Sequence, residues 1–322
     1  MDFRKLVSDI IIVSWNLFKI MIPTLIIVKL CQEVGADIWL AELMSPIMGV
    51  MSLPAELAII LTTTMLTNPY AGIIVAASIP EMASLNIGQM SVLALFMLFT
   101  HSLPVEVLIS RRAGVRARIT LAVRIGGGIL ACMILAQLFK LTGWYSEPAS
   151  IHIPHISIDT SWLGWLQGQL LSLMMIQIII IVLLFFLEIL RLIGVEKLMR
   201  MLLAPFLRSM KIGERASTIA IVGVTLGLGF GGGLLIKDVE TGEIPKEDVF
   251  GILCFINLLH SVFEDTAIVM LLGPSLLIVL GFRFIFSFVL IYMIMIAVQR
   301  LPKHLWHSQL TNSNIPRNAG TA

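Results

Sequence analysis

Apolar runs long enough to cross a hydrocarbon layer about 30 Å thick as helices alternate along the chain with short polar interruptions. The first extends from Leu6 to Leu30. A second, Leu53 to Ser78, has span length but is interrupted by T-T-T-M-L-T-N-P-Y-A-G, Thr62 to Gly72. Two full spans follow, from about Ser91 to Arg111 and from there to Lys140. Beyond a polar linker the order recurs between residues 167 and 299, with the break now reading G-V-T-L-G-L-G-F-G-G-G, Gly223 to Gly233. Proline and glycine at those breaks argue against one continuous helix, leaving a kinked crossing or a hairpin of two half-length helices. The expected fold is an all-α polytopic membrane protein.

Sliding the chain against itself by 159 residues makes the recurrence explicit. Gly35 falls on Gly194, Pro46 on Pro205, Gly72 on Gly231, His101-Ser102 on His260-Ser261, Glu106 on Asp265, Gly114 on Gly273 and Arg124 on Arg283, with no gap. The expected organisation is a first repeat over 1–140, an external linker over 141–166, a second repeat over 167–299 and a cytoplasmic tail over 300–322. Each repeat should hold three full spans, an interfacial helix (37–51 or 196–211) and a broken pair.

Charge orients the repeats. Four arginines lie in R-R-A-G-V-R-A-R, Arg111 to Arg118, whereas the matching L-L-G-P-S-L-L, Leu271 to Leu277, has no charge. Earlier in the repeats the bias reverses: Lys197, Arg200, Arg208, Lys211 and Arg215 occupy the second copy, and Gly35 to Glu56 has no basic residue. Because basic loops stay cytoplasmic, equivalent loops face opposite sides and the repeats are inverted. With M-D-F-R-K inside, both termini come out cytoplasmic in a prokaryotic cytoplasmic membrane, and the broken pair starts and ends on one side, which favours the hairpin.

Only 13% of residues are charged, 58% are hydrophobic and the net charge is +2, while the mean hydropathy is +0.97. Some of those scarce charges nevertheless fall inside spans. His101 lies 10 residues past Ser91 and His260 lies 11 past Val249, which at about 1.5 Å per residue is near the midplane. Polar groups at that depth are expensive and mark a site or pathway. The candidate substrate- or ion-binding residues are His101, Ser102, Glu106, His260, Ser261, Glu264, Asp265, Asn68, Thr67, Gly229 and Gly231, with Arg124, Arg283 and Tyr70 supporting. On a continuous helix His260 and Glu264 share a face, as do Ser102 and Glu106. Glu264, which replaces Val105 of the first copy, would orient His260, and Asp265, matched by Glu106, would matter more for transport.

Several alternatives stay open. The histidines can be satisfied inside a helix bundle without lining a path. Arg124 and Arg283 can snorkel to headgroups or pair with the carboxylates. Neutral histidines beside carboxylates suit a cation, whereas arginines reaching inward would make a zwitterionic or nucleoside-like solute equally suitable. The metal, if any, is unknown. Cys31, Cys132 and Cys254 are far apart and read as buried small hydrophobes. Without a Walker sequence, a dinucleotide-type glycine loop or a basic-aromatic surface, the chain is expected to be no enzyme, to need no cofactor and to bind no nucleic acid. Its partners are membrane lipid, a transported cation or small polar solute, and a second copy in a homo-oligomer.

The motifs F-T-H-S-L-P-V-E and L-L-H-S-V-F-E-D-T, with the broken segments before them, make the chain resemble the nucleoside-recognition, or Gate, domain membrane proteins. These are similar to the pore modules of ferrous-iron and concentrative nucleoside transporters and to spore-maturation membrane proteins. The resemblance covers residues 8–299 and implies two Gate-like units. It implies either a secondary transporter or ion-conducting protein using a midplane site between inverted repeats, or a non-transporting scaffold that assembles with a partner protein, and a nucleoside is one candidate solute.

Overall fold

The computed structural model describes residues 3–152, 162–210, 212–226, 235–236, 238–239 and 244–300. Gly229, Gly231, Lys211, the middle of the linker and the tail from Leu301 lie outside these. Among the described residues the structure is helical, with one isolated bridge between Asn86 and Pro148.

Among the described residues five stretches are long and apolar enough to cross a membrane: Ile87–Arg112, Ala117–Thr142, Trp162–Phe186, Glu247–Leu272 and Leu277–Gln299. A sixth is possible if Glu42–Val50 and Ala55–Leu66, bent by 107°, count as one broken span. The chain is a polytopic helical membrane protein. The described helices are α1 (Phe3–Glu33), α2 (Ala36–Val50), α3 (Ala58–Leu66), α4 (Pro69–Ala76), α5 (Ile87–Thr100), α6 (Leu103–Arg112), α7 (Ala117–Leu121), α8 (Gly127–Thr142), α9 (Trp162–Leu192), α10 (Val195–Ser209), α11 (Glu214–Leu226), α12 (Lys246–Leu258), α13 (Val262–Val269) and α14 (Arg283–Gln299).

The sequence repeat carries through to the backbone. Helices α1 and α9 have 31 residues each and α2 and α10 have 15 each, at the same offset of 159. Their joints, Gly35 and Gly194, sit at φ 71° and 80°, a left-handed conformation that glycine adopts without steric cost. Ser102 and Ser261 also match, at φ 55° and 45°. Five-residue-or-longer π-helical turns occur at Ala122–Gly126 and Leu277–Phe282, the first containing Arg124 and the second ending just before Arg283.

The helices gather into two compact units, each drawing on both repeats. Unit 1 comprises Met1–Ser102, Cys132–Ile193 and Glu264–Val279. Within it α1 packs on α9, and α3 packs on α2, α4 and α5. Helices α3 and α4 fold back on one another: the Thr64 side chain and the Met97 methyl fill the space beside Gly72, although eight residues of straight helix would separate Thr64 from Gly72 by about 12 Å. The reversal follows from local chemistry. Thr67 leaves helical geometry at φ −125°, ψ −94°. Asn68 then caps α4 by accepting from the Ala71 N–H at 3.0 Å, and Pro69 occupies the first turn, where its missing N–H costs nothing.

Unit 2 comprises Leu103–Ala131, Gly194–Phe263 and Leu280–Ala322. Its core is α12 packed against α11 and α14, with α10 on α11 and α6 on α7. Phe206 stacks on Phe288 with centroids 4.3 Å apart, and Phe255 lies 5.3 Å from the same ring.

Candidate functional site

Neither histidine-serine motif lies on continuous helix. Helix α5 stops at Thr100 and α6 starts at Leu103, while α12 stops at Leu258 and α13 starts at Val262. The expected sharing of a helix face by Ser102 with Glu106, and by His260 with Glu264, is therefore overturned. The serines at the breaks hold a left-handed conformation that strains any residue with a Cβ. At Ser102 two hydrogen bonds fix it: its N–H donates to the Thr64 carbonyl at 3.1 Å and its hydroxyl to the Thr67 carbonyl at 2.6 Å. In unit 1 the motif is thus tied to the predicted Thr67–Asn68 turn.

At each break the histidine ring turns back on a carbonyl four residues earlier, in the helix that ends there. His101 Nδ1 lies 3.1 Å from the Met97 carbonyl and His260 Nδ1 lies 2.8 Å from the Ile256 carbonyl, equivalent positions in the repeat. A carbonyl only accepts, so Nδ1 carries a proton in both rings.

The opposite nitrogens meet carboxylates. In unit 1 His101 Nε2 is 3.3 Å from Asp265 Oδ2; in unit 2 His260 Nε2 is 3.0 Å from Glu106 Oε1. Glu106 and Asp265 are themselves repeat equivalents. Each histidine therefore takes its carboxylate from the other repeat, and the exchange is reciprocal. All four residues are buried.

Neighbouring charges differ between the units. In unit 1 Tyr70 donates its hydroxyl to Glu264 at 3.0 Å. Glu264 thus anchors to the α4 tyrosine, and the carboxylate that orients His260 is Glu106, contrary to the sequence expectation. In unit 2 Glu106 is ion-paired to Arg124, which also donates to the Asn257 carbonyl at 2.9 Å. Arg283 donates to the Leu258 carbonyl at 3.2 Å and the His260 carbonyl at 3.3 Å. Both guanidinium groups are fully buried, so neither snorkels, and both are held at the carbonyl end of α12, where the helix dipole favours cations. Sequence reasoning passed over Asn257, whose amide nitrogen donates to Ser110 at 3.1 Å and to the Leu253 carbonyl at 2.7 Å.

A separate cavity of about 340 Å³ in unit 1, lined by Asn86, Gln89, Phe139, Lys140 and Trp144 among others, contains none of the predicted site residues.

No protein-family model and no solved structure matches the chain. The "uncharacterized membrane protein YvoD" of Bacillus subtilis (strain 168) is 30% identical over 267 residues, covering 81% of this chain and 83% of that protein. The chain belongs to the same family as YvoD. Membership in the YvoD family agrees with the apolar helices in placing the chain in a membrane.

Proposed function

We propose that this YvoD-family protein is a secondary transporter, coupled to protons, that moves a small polar solute or cation along a midplane path between inverted repeats. We assign it to the Gate kind of membrane protein, with both termini cytoplasmic and the α3–α4 pair re-entrant. The observation that carries the reading is the reciprocal pairing of His101 with Asp265 and of His260 with Glu106. With Nδ1–H committed to a carbonyl, a favourable contact between Nε2 and a carboxyl oxygen requires one more proton, held as imidazolium with carboxylate or as imidazole with carboxylic acid. Each pair is a one-proton store in an apolar setting, and losing that proton leaves a buried negative charge. A solute that changes the spacing of either pair changes its proton affinity, which is the coupling a transporter needs.

Burial of Arg124 and Arg283 bears on the solute. One guanidinium ion-paired to Glu106 and a second buried against the His260 carbonyl weaken the reason to expect a net-negative cluster, favouring a small polar or zwitterionic solute over a bare metal cation. Purified protein in proteoliposomes on a solid-supported membrane, challenged with nucleosides, amino acids and divalent cations under a pH gradient, tests this. A solute-evoked current that changes with the gradient and disappears in Glu106→Gln and Asp265→Asn is expected. Solute flux indifferent to the pH gradient in the parent protein would overturn the coupling.

A further inference from the structure

The two units treat one set of equivalent positions in opposite ways. In unit 1 Ala94, Leu98, Val269 and Val279 form a fully buried apolar cluster. The repeat offset maps these onto Leu253, Asn257, Ser110 and Thr120 in unit 2. Three hydrocarbon side chains are thus replaced by an amide and two hydroxyls, and all three replacements are at most 1% exposed.

The polar set is not self-sufficient. Asn257 uses its amide nitrogen twice, and the Leu253 carbonyl fixes which end of the amide is nitrogen, because a carbonyl cannot donate. Its oxygen is left with no protein partner among the described residues. The Thr120 hydroxyl is likewise without one, although Thr62, Thr64, Thr100 and Thr225 all bond back to the carbonyl four residues earlier. A buried amide oxygen or hydroxyl without a partner costs about 1–3 kcal/mol. Retaining two of them where the sister unit manages with valine and leucine points to a guest.

The chemistry of the notch selects that guest. Asn257 Oδ1 can only accept, so the guest must donate a hydrogen bond or be a cation. Arg124 donates to the backbone carbonyl of the same asparagine, which disfavours a cation and leaves a small neutral donor, water. Ser110 lies one turn beyond Glu106 on α6, and α6 ends at the exposed Arg111 and Arg112. We propose that Ser110, Thr120 and Asn257 form a buried water-binding notch that hydrates the His260–Glu106 pair from the arginine-rich end of α6, while the matching Leu98–Val269–Val279 cluster keeps the His101–Asp265 pair dry. This deepens the reading of the two pairs as proton stores and rests on it. The stores then have unequal access to bulk protons.

Exchange of the imidazole C2 hydrogen for deuterium, followed by mass spectrometry on the full-length protein in nanodiscs, reads water access at each ring without any transport. His260 should exchange about tenfold faster than His101, a barrier difference of ~1.4 kcal/mol. The variant Ser110→Val/Thr120→Val/Asn257→Leu, which copies the apolar set of unit 1, should slow His260 to the rate of His101. Thr120→Val alone should shift it the same way should the triple variant fail to fold. Equal rates in the parent, or a His260 rate untouched by Thr120→Val, would overturn the proposal. A map resolving ordered solvent separates the guests: water at hydrogen-bond distance from Asn257 Oδ1 supports the notch, and a cation there refutes it. Loss of proton-coupled flux in reconstituted protein with the rate difference intact would refute the transport reading alone.

Discussion

A histidine whose ring nitrogens face a carbonyl and a carboxyl group satisfies both only if the histidine–carboxyl pair holds an extra proton, and this chain builds that arrangement twice from residues far apart in sequence. Glu106 does the most, since it meets His260 and Arg124 together. Removing one member of a buried pair costs about 3–5 kcal/mol. Glu106→Gln is therefore expected to lower the thermal unfolding midpoint in detergent, and Asp265→Asn to lower it less. Half-buried Glu264 has its hydrogen bond from Tyr70, which a glutamine carbonyl can still accept, so Glu264→Gln should leave that midpoint nearly unchanged. Nanoscale differential scanning fluorimetry on the three proteins gives the ranking. The histidines and their carboxylates were legible in the sequence because the repeat set them in one frame. Which carboxylate serves which histidine was not, because spacing along one helix cannot reveal a partner supplied by the other repeat. Asn257, Ser110 and Thr120 went unread for a different reason: matching positions across the repeat draws the eye to identities, and here the information lies in the mismatches.

The unit of function at the next scale is the interrupted helix. Three breaks among the described residues matter, at Thr67–Asn68, at His101–Ser102 and at Leu259–Ser261, and the sequence announced the first plainly, through Asn68 and Pro69. Pro104, in the opening turn of α6, signals a new helix in the first copy, but Phe263 stands in its place in the second. The break at Leu259–Ser261 was therefore invisible from its own residues. Ser102 tests whether the left-handed joint is needed: Ser102→Gly should fold, since glycine favours that φ, whereas Ser102→Val adds about 1–2 kcal/mol of strain and should lower the yield of monodisperse protein in size-exclusion chromatography. At the hairpin, a Cβ on residue 72 would collide with the Thr64 hydroxyl. Gly72→Ala is expected to destabilise the protein, and adding Thr64→Gly, which empties that space, should recover much of the loss.

For the molecule as a whole, the 159-residue offset reproduces helix lengths, left-handed joints and the paired polar motifs. The inversion of the repeats rests on the asymmetry of the basic loops, and a direct measurement decides it. In a background lacking Cys31, Cys132 and Cys254, single cysteines at Arg112 and Ser275 should react with a membrane-impermeant thiol reagent from opposite faces of sealed vesicles. Reaction of both from one face would remove the inversion while leaving the repeat itself intact.

The exchange of carboxylates between repeats also bears on how the protein is made. During synthesis Glu106 and Arg124 emerge close together and can neutralise one another early, but His101 must wait for Asp265, about 160 residues later. Until the second half is inserted, the first holds an imidazole with no acid to complete it. A nascent chain stalled between the halves would carry that defect openly in the lipid, a ready mark for membrane proteases. Two halves expressed from separate messages would stabilise each other only by meeting in the bilayer, and pulse-chase lifetimes of each half, alone and together, would register that mutual protection.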